Sequence, residues 1–170
     1  GHNYLNGATY SASLDGFGEG SYEAYFDFND SDAGGVSFNM NFDVGGGSGN
    51  LSLQLINSGF EVDCVIPSEY LAGEVKDKLQ GRGNIHICKF EELNITNQYD
   101  LILFSESFQY VKMDAALKKI EEILNPTGHL LICDFFKLDV PEKSLMGGGH
   151  RWIAFDKIIN TTGLELISDI

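Results

Sequence analysis

The run Asp43-Val44-Gly45-Gly46-Gly47-Ser48-Gly49 is the strongest candidate for a ligand-holding element in the chain. Glycine in such a run permits a tight turn and lets the backbone approach a ligand closely, because no Cβ stands in the way. A second glycine-rich run, Gly147-Gly148-Gly149-His150, ends in a histidine, the side chain best suited to accept a proton near neutral pH. The dinucleotide fingerprint GxGxxG would need glycine where Asn50 stands, so a nicotinamide or flavin dinucleotide is disfavoured, whereas the pattern D-x-G-x-G-x-G is complete. Gly-Gly-Gly-Ser-Gly also has the composition of a flexible linker. A linker is not ordinarily flanked by a strand ending in Asp43 and a leucine-rich helix.

The elements needed to position these residues are legible in the hydrophobic pattern. Val36–Phe42 alternates apolar and polar residues as a strand and runs straight into the glycine loop. A helix follows through Leu51, Leu53, Leu55 and Ile56 to Ser58-Gly59. Then come a strand Phe60–Ile66, a helix from the N-cap Ser68 to about Gln80 with Gly81 and Gly83 as its stop, and a short strand Asn84–Cys88. Tyr99–Phe104 reads as the most apolar strand. It precedes a helix Asp114–Leu124, a turn at Asn125-Pro126-Thr127-Gly128 and a strand His129–Phe135. A helix over about Trp152–Thr161 and a strand Leu164–Ile167 close the pattern. Alternation of this kind implies a parallel sheet with crossover helices, and the uninterrupted runs Leu101–Phe104 and Leu130–Cys133 predict strands covered on both faces. In such a sheet His150 falls on the ligand-binding edge, where it is either a base or a cap for the following helix. Residues 1–35 have weak periodicity, with Tyr22, Tyr25 and Phe26 sharing one face of a short helix. They read as a cap or lid, and residues 36–170 as the main domain.

Composition narrows the function classes. The 170 residues suffice for one domain, and a formal charge of -14 repels phosphate backbones, so nucleic acid is not an expected partner. Every Lys and Arg lies at or after Lys76. No charged-then-apolar leader or membrane-length apolar run is present, which leads to the expectation of a cytoplasmic protein without a membrane partner. Cys64, Cys88 and Cys133 sit in apolar, strand-like runs without metal-ligand spacing, so no metal site is expected.

The motifs together resemble class I S-adenosylmethionine-dependent methyltransferases. Asp43 and the glycine loop resemble the family's first motif. Tyr99-Asp100-Leu101-Ile102-Leu103 resembles the entry to its fourth strand, and Phe104-Ser105-Glu106-Ser107-Phe108-Gln109-Tyr110-Val111 the exit. Ile123-Leu124-Asn125-Pro126-Thr127-Gly128-His129-Leu130-Leu131-Ile132 looks like its "LLxPGGxLLI" turn into the fifth strand. The resemblance spans about Phe42 to Ile170. It implies a three-layer α/β sandwich with a doubly wound, mostly parallel, Rossmann-like sheet, and S-adenosyl-L-methionine as methyl donor.

It further implies that Asp43, Gly45, Gly46, Gly47 and Gly49 hold the donor's methionine part, with Ile66, Pro67, Glu69, Phe90, Glu91 and Ser105 along the remaining donor site. His150, Glu106 and Tyr110 fall on the reacting side. His150 would act as base, Glu106 stands near the donor methyl or is a solvated carboxylate, and Tyr110 orients an acceptor or only packs. Where the family carries an acid that accepts from the ribose hydroxyls, this chain has Ile66. Glu69 is the nearest longer-armed replacement, and Asp63 a poorer one on the opposite strand face. Near the adenine position stands Lys89, which can only donate, leaving the Phe90 backbone or the Glu91 carboxylate as acceptors. After Leu164–Ile167 nothing remains for the family's antiparallel last strand. The expectation is a truncated sheet or one completed by the N-terminal segment, with an edge open to another chain and a homodimer as one outcome. The implied function is methyl transfer to a small-molecule acceptor. The competing reading is a binding or interaction module of the same fold without the reaction.

Overall fold

In the computed structural model the residues described are 8–12, 22–26, 40–137 and 149–165. Their centre is the strand that delivers the glycine loop, β3 (Met40–Val44). It pairs in parallel with β4 (Glu61–Val65) on one side and β6 (Tyr99–Ser105) on the other, with Asp43 opposite Cys64 and Leu103. A two-residue strand β5 (Ile85–His86) joins β4, and β7 (Leu124–Cys133) joins β6, giving the order β5-β4-β3-β6-β7 with every pair parallel. Because side chains alternate along a strand, one face of this sheet carries Val62, Cys64 and Leu103 and the other Phe42, Val44, Ile102 and Phe104. The first face is covered by α1 (Asn50–Asn57) and α2 (Glu69–Leu79), through Leu55, Ala72, Val75 and Leu79. The second is covered by α3 (Met113–Ile123) and α4 (Trp152–Ile159), through Ala116, Leu117, Ile120, Phe155 and Ile159. This is the doubly wound three-layer sandwich that the resemblance implied, built on the parallel sheet and crossover helices that the alternation of elements implied.

Several details differ from the sequence reading. Tyr22–Phe26 is not a helix but strand β2, antiparallel to β1 (Ala8–Ala12) from Ala8 opposite Phe26 to Ala12 opposite Tyr22. Aromatic residues favour extended backbone, and a partner strand supplies hydrogen bonds that a one-turn helix cannot. The rest of the expected lid, with Val36–Asn39 of the expected first strand, lies outside the described residues, as do Gly147 and Gly148. Asn125-Pro126-Thr127-Gly128 is not a turn ahead of a strand but an irregularity within β7: Leu124 pairs with Tyr99 and His129 with Leu101, so the four residues bulge opposite Asp100 alone. Asn125 Nδ2 donates to one oxygen of Asp100 and the Met40 N–H to the other, tying the starts of three strands together. A Cβ at Gly128 would come within 2.9 Å of the Tyr99 carbonyl oxygen, which explains the glycine. Leu101–Phe104 is buried as expected. Leu130–Cys133 is only half-buried, because β7 is the outermost strand among the described residues. Leu164 and Glu165 are not in a strand, and the remainder of that expected element is outside the described residues.

Helix α2 starts where Ser68 predicts it, with the Leu71 N–H donating to Ser68 Oγ, and ends with Gln80 and Gly81 left-handed. Two short strands, β8 (Phe136–Lys137) and β9 (His150–Arg151), pair in parallel just beyond β7. None of the described helices is long and apolar enough to cross a membrane.

Candidate functional site

The loop between β3 and α1 alternates in handedness, with φ of +77° at Gly45, +48° at Gly47 and +73° at Gly49. Each glycine answers a different neighbour. A Cβ at Gly45 would collide with Ser107 Cβ at 2.5 Å, one at Gly49 would press on Val75 of α2 at 3.0 Å, and one at Gly46 would meet Asp43 Oδ2 at 3.2 Å. At Gly47 the nearest atom among the described residues is the loop's own Gly45 oxygen, 3.9 Å away, so this glycine faces open space among them. Packing within the protein therefore crowds Gly45 and Gly49 and, less tightly, Gly46, whereas at Gly47 the positive φ favours glycine and the described residues leave its backbone accessible to a ligand. The Gly47 N–H donates to the Gly45 oxygen and the Gly49 N–H to the Gly46 oxygen at 2.6 Å. Those of Gly46 and Ser48 have no partner among the described residues. Two N–H groups without a described partner, in a left-right alternating loop, suit an anionic group such as a carboxylate.

Asp43 lies under this loop rather than in it. Its side chain is 2% exposed, Ser52 Oγ of α1 donates to Oδ2 at 2.5 Å, and Cys64 Sγ stands 3.5 Å from the same hydroxyl. Burial pushes the Asp43 carboxyl up to about 6, against a smaller opposing effect of the Ser52 hydrogen bond. Burial also pushes the Cys64 thiol up to about 11, so it stays protonated. On the other flank the Ser107 hydroxyl donates to the Val44 carbonyl at 2.5 Å and anchors the segment that leaves β6 to the strand that enters the loop.

The remaining candidates follow the strand ends on the same edge of the sheet. Past β4, Ile66 is 1% exposed and packs with Cys64, Ala72, Val75 and Leu79, so its side chain belongs to the core and only its backbone borders the edge. Pro67 and Glu69 are exposed beside it, Glu69 as the first residue of α2. Past β5, Phe90 is buried edge-on against Phe104 at 5.2 Å, and Lys89 pairs with Glu92 at 3.8 Å. Glu91 Oε1 accepts the Lys112 N–H, so one of its oxygens is committed to the start of α3. Past β6, Ser105 ends the strand opposite Cys133 and Glu106 is held left-handed at φ +53° with its N–H donating to the Cys133 oxygen. Tyr110 is 80% exposed. His150 stands beyond β7 with Nε2 2.9 Å from the Phe108 oxygen and its ring edge-on to Phe108. A carbonyl only accepts, so this bond places the proton of the neutral ring on Nε2 and leaves Nδ1 as the acceptor. Gly149 has φ +74°, and a Cβ there would strike the Phe135 ring at 2.5 Å, so its glycine positions His150.

A family model described as a methyltransferase domain matches residues 42–132, from the start of the glycine-loop motif into β7. The chain belongs to the class I S-adenosylmethionine-dependent methyltransferase family. An uncharacterized methyltransferase from Alkaliphilus oremlandii is 29% identical over 139 residues, covering 77% of this chain. The chain spans 63% of that relative's length. Among solved structures, YcgJ from Bacillus subtilis aligns with a TM-score of 0.64 at 13% identity, over 73% of this chain and 61% of its own. The glycopeptide N-methyltransferase MtfA complexed with S-adenosyl-L-methionine aligns with a TM-score of 0.53 at 17% identity, over 59% of this chain and 48% of its own. At those identities the structural likeness is one of fold.

For a methyltransferase of this family, the methionine half of a donor fits what the loop offers: two N–H groups and a Gly47 face that are open among the described residues, for a carboxylate end. At the ribose half, the Ile66 side chain offers no acceptor, and Glu69, three residues further along the chain, carries an exposed carboxylate. Sequence reasoning missed Ser52, Ser107 and Asp134. Asp134 accepts the Gln109 and Phe135 N–H groups at 2.9 and 2.8 Å and fixes the loop leading to Tyr110. A serine or aspartate in a loop carries no periodicity, and the one available signal for Ser107 is the glycine requirement at Gly45, which names no partner.

Proposed function

We propose that this chain transfers a methyl group from S-adenosyl-L-methionine to a small-molecule acceptor. The observation that carries the reading is the glycine loop in which packing crowds Gly45, Gly49 and, less tightly, Gly46 and leaves Gly47 facing open space among the described residues. When bound, the donor supplies an electrophilic methyl: the acceptor's lone pair forms a bond to that carbon as the carbon–sulfur bond breaks, its electron pair passing to sulfur. The protein's own contribution is alignment, which is worth about 7–11 kcal/mol in well-oriented systems. His150, whose Nε2 bond to the Phe108 oxygen leaves Nδ1 as the ring acceptor, is proposed as the group that takes the proton a hydroxyl or ammonium acceptor releases.

The large apolar side chains exposed among the described residues support an apolar or aromatic acceptor. Tyr70 lies in the first turn of α2 after β4, Ile87 follows β5 and Tyr110 follows β6, so these three stand on segments that leave the loop-bearing edge, and Ile153 lies in the first turn of α4. The cap over 1–35 is proposed as the cover of that edge. The acidic surface disfavours nucleic acid, and the free thiols Cys64, Cys88 and Cys133 suit a cytoplasmic setting. Ile66 favours the second reading, a binding module without the reaction, because the end of β4 lacks an acceptor.

Calorimetric titration with S-adenosylhomocysteine separates the two. Binding is expected in the wild type. Gly47→Ala has room for its methyl and adds only about 1 kcal/mol of left-handed backbone strain, so it is expected to fold and yet lose most of the affinity. No binding to the wild type at millimolar ligand would end the enzyme reading.

A further inference from the structure

Helix α2 reaches back to the glycine loop through one side chain. Lys78 Nζ donates to the Ser48 carbonyl at 2.5 Å and to Asn50 Oδ1 at 2.7 Å, across thirty residues of sequence. Nothing in the motif demands a lysine there. We propose that Lys78 is a positioning residue for the donor loop, fixing the peptide orientations on which its free N–H groups depend; this rests on the donor-site reading above.

The argument is geometric. A trans peptide holds its C=O and N–H pointing in opposite directions. By fixing the Ser48 carbonyl toward α2, Lys78 turns the Gly49 N–H the other way, where it donates to the Gly46 oxygen at 2.6 Å. That bond fixes the Gly46–Gly47 peptide, whose N–H in turn donates to the Gly45 oxygen. Three peptides are thus oriented in series from a single ammonium, and the N–H groups of Gly46 and Ser48 are left for a ligand. Glycines need such an anchor because they populate both hands of the backbone with little preference. The helix itself is held independently: Val75 packs against Gly49, and Arg82 Nη1 donates to Asn57 Oδ1 at 2.9 Å, so removing the ammonium leaves α2 docked.

The test uses the full chain with Lys78→Met, which keeps the stem and removes the charge, and Lys78→Arg, which keeps a donor. Hydrogen exchange without ligand is expected to speed up at the Gly47 and Gly49 amides by roughly tenfold in the methionine variant, with the melting temperature nearly unchanged. Affinity for S-adenosylhomocysteine is expected to fall about five- to tenfold and to recover in the arginine variant. Unchanged exchange at both amides overturns the proposal, even where binding weakens, because the ammonium would then act on the ligand directly. If the wild type binds no S-adenosylhomocysteine, the enzyme reading fails while the exchange measurement still decides the role of Lys78.

Discussion

Two buried aspartates stand on neighbouring strands and serve opposite ends of the sheet. Asp63 is 5% exposed on the α3 and α4 side of β4. Its Oδ1 accepts the Asn84 N–H at 3.0 Å and Nδ2 at 2.7 Å, its Oδ2 accepts the Tyr99 hydroxyl at 2.8 Å, and His86 Nε2 lies 4.0 Å away. Asp43 is 2% exposed on the α1 and α2 side of β3 and, among the described residues, accepts from the side chain of Ser52 alone. Burial and the Asp63 contact push the Tyr99 hydroxyl up, whereas at Asp43 burial pushes the carboxyl itself up to about 6. The difference lies in the supply of donors: a buried carboxylate surrounded by donors locks strands together, and one with a single donor stays sensitive to protons. The second kind lies directly beneath the donor loop. The first adjoins a cavity of about 330 Å³ at the opposite edge, where Met40, Glu61 and Asn84 mark the approaches to β3, β4 and β5.

The largest effect that can break this contrast is expected at Asp63. Asp63→Ala strands the buried Tyr99 hydroxyl, which costs about 1–3 kcal/mol, and removes the charged acceptor of the two exposed Asn84 donors, so the variant is expected to lose about 3 kcal/mol in urea unfolding. A loss below about 1 kcal/mol would show that Asp63 does not lock the strands. Next in size is Asp43→Asn. The folded protein holds the Asp43 proton more tightly than the unfolded chain, so the stability that protonation gives is complete below the ordinary 3.8 and lost as pH rises through about 6. Above that window the wild type should be weaker than the asparagine variant by up to about 3 kcal/mol, an advantage that disappears near pH 4. Unfolding midpoints at pH 4 and pH 8 read this directly. Equal differences at the two values would show that another group titrates.

The same contrast marks how much was legible in the sequence. The Gly45–Gly49 run identified its loop, and strand periodicity put Ile66 and Asp63 on opposite faces, because both signals are local. The fate of each carboxylate was not legible, since Asn84 and Tyr99 come from other elements and Ser52 reads only as one polar position in a leucine-rich helix. Tyr22–Phe26 was misread because three aromatics at helical spacing are also three aromatics in a strand, and the pairing to Ala8–Ala12 is a long-range fact. Asn125–Gly128 has the composition of a turn, and only the shift from Tyr99 to Leu101 in the ladder turns it into a bulge. Lys78 reads as one lysine on a solvated helix face. Its role becomes visible only when the Ser48 carbonyl is brought beside it.

The smallest effects sharpen the contrast most, because they remove one donor from each acid and leave the acid in place. Tyr99→Phe leaves Asp63 with both Asn84 donors, so it is expected to cost about 1 kcal/mol at every pH between 5 and 8. Ser52→Ala removes the side-chain donor that Asp43 has among the described residues, whose effect is to lower that carboxyl, so the pH at which stability is lost should move above about 6. One variant therefore lowers a stability profile without displacing it, and the other displaces it. A displaced profile in the Tyr99 variant, or a uniform drop in the Ser52 variant, would mean that the number of donors does not separate the two aspartates.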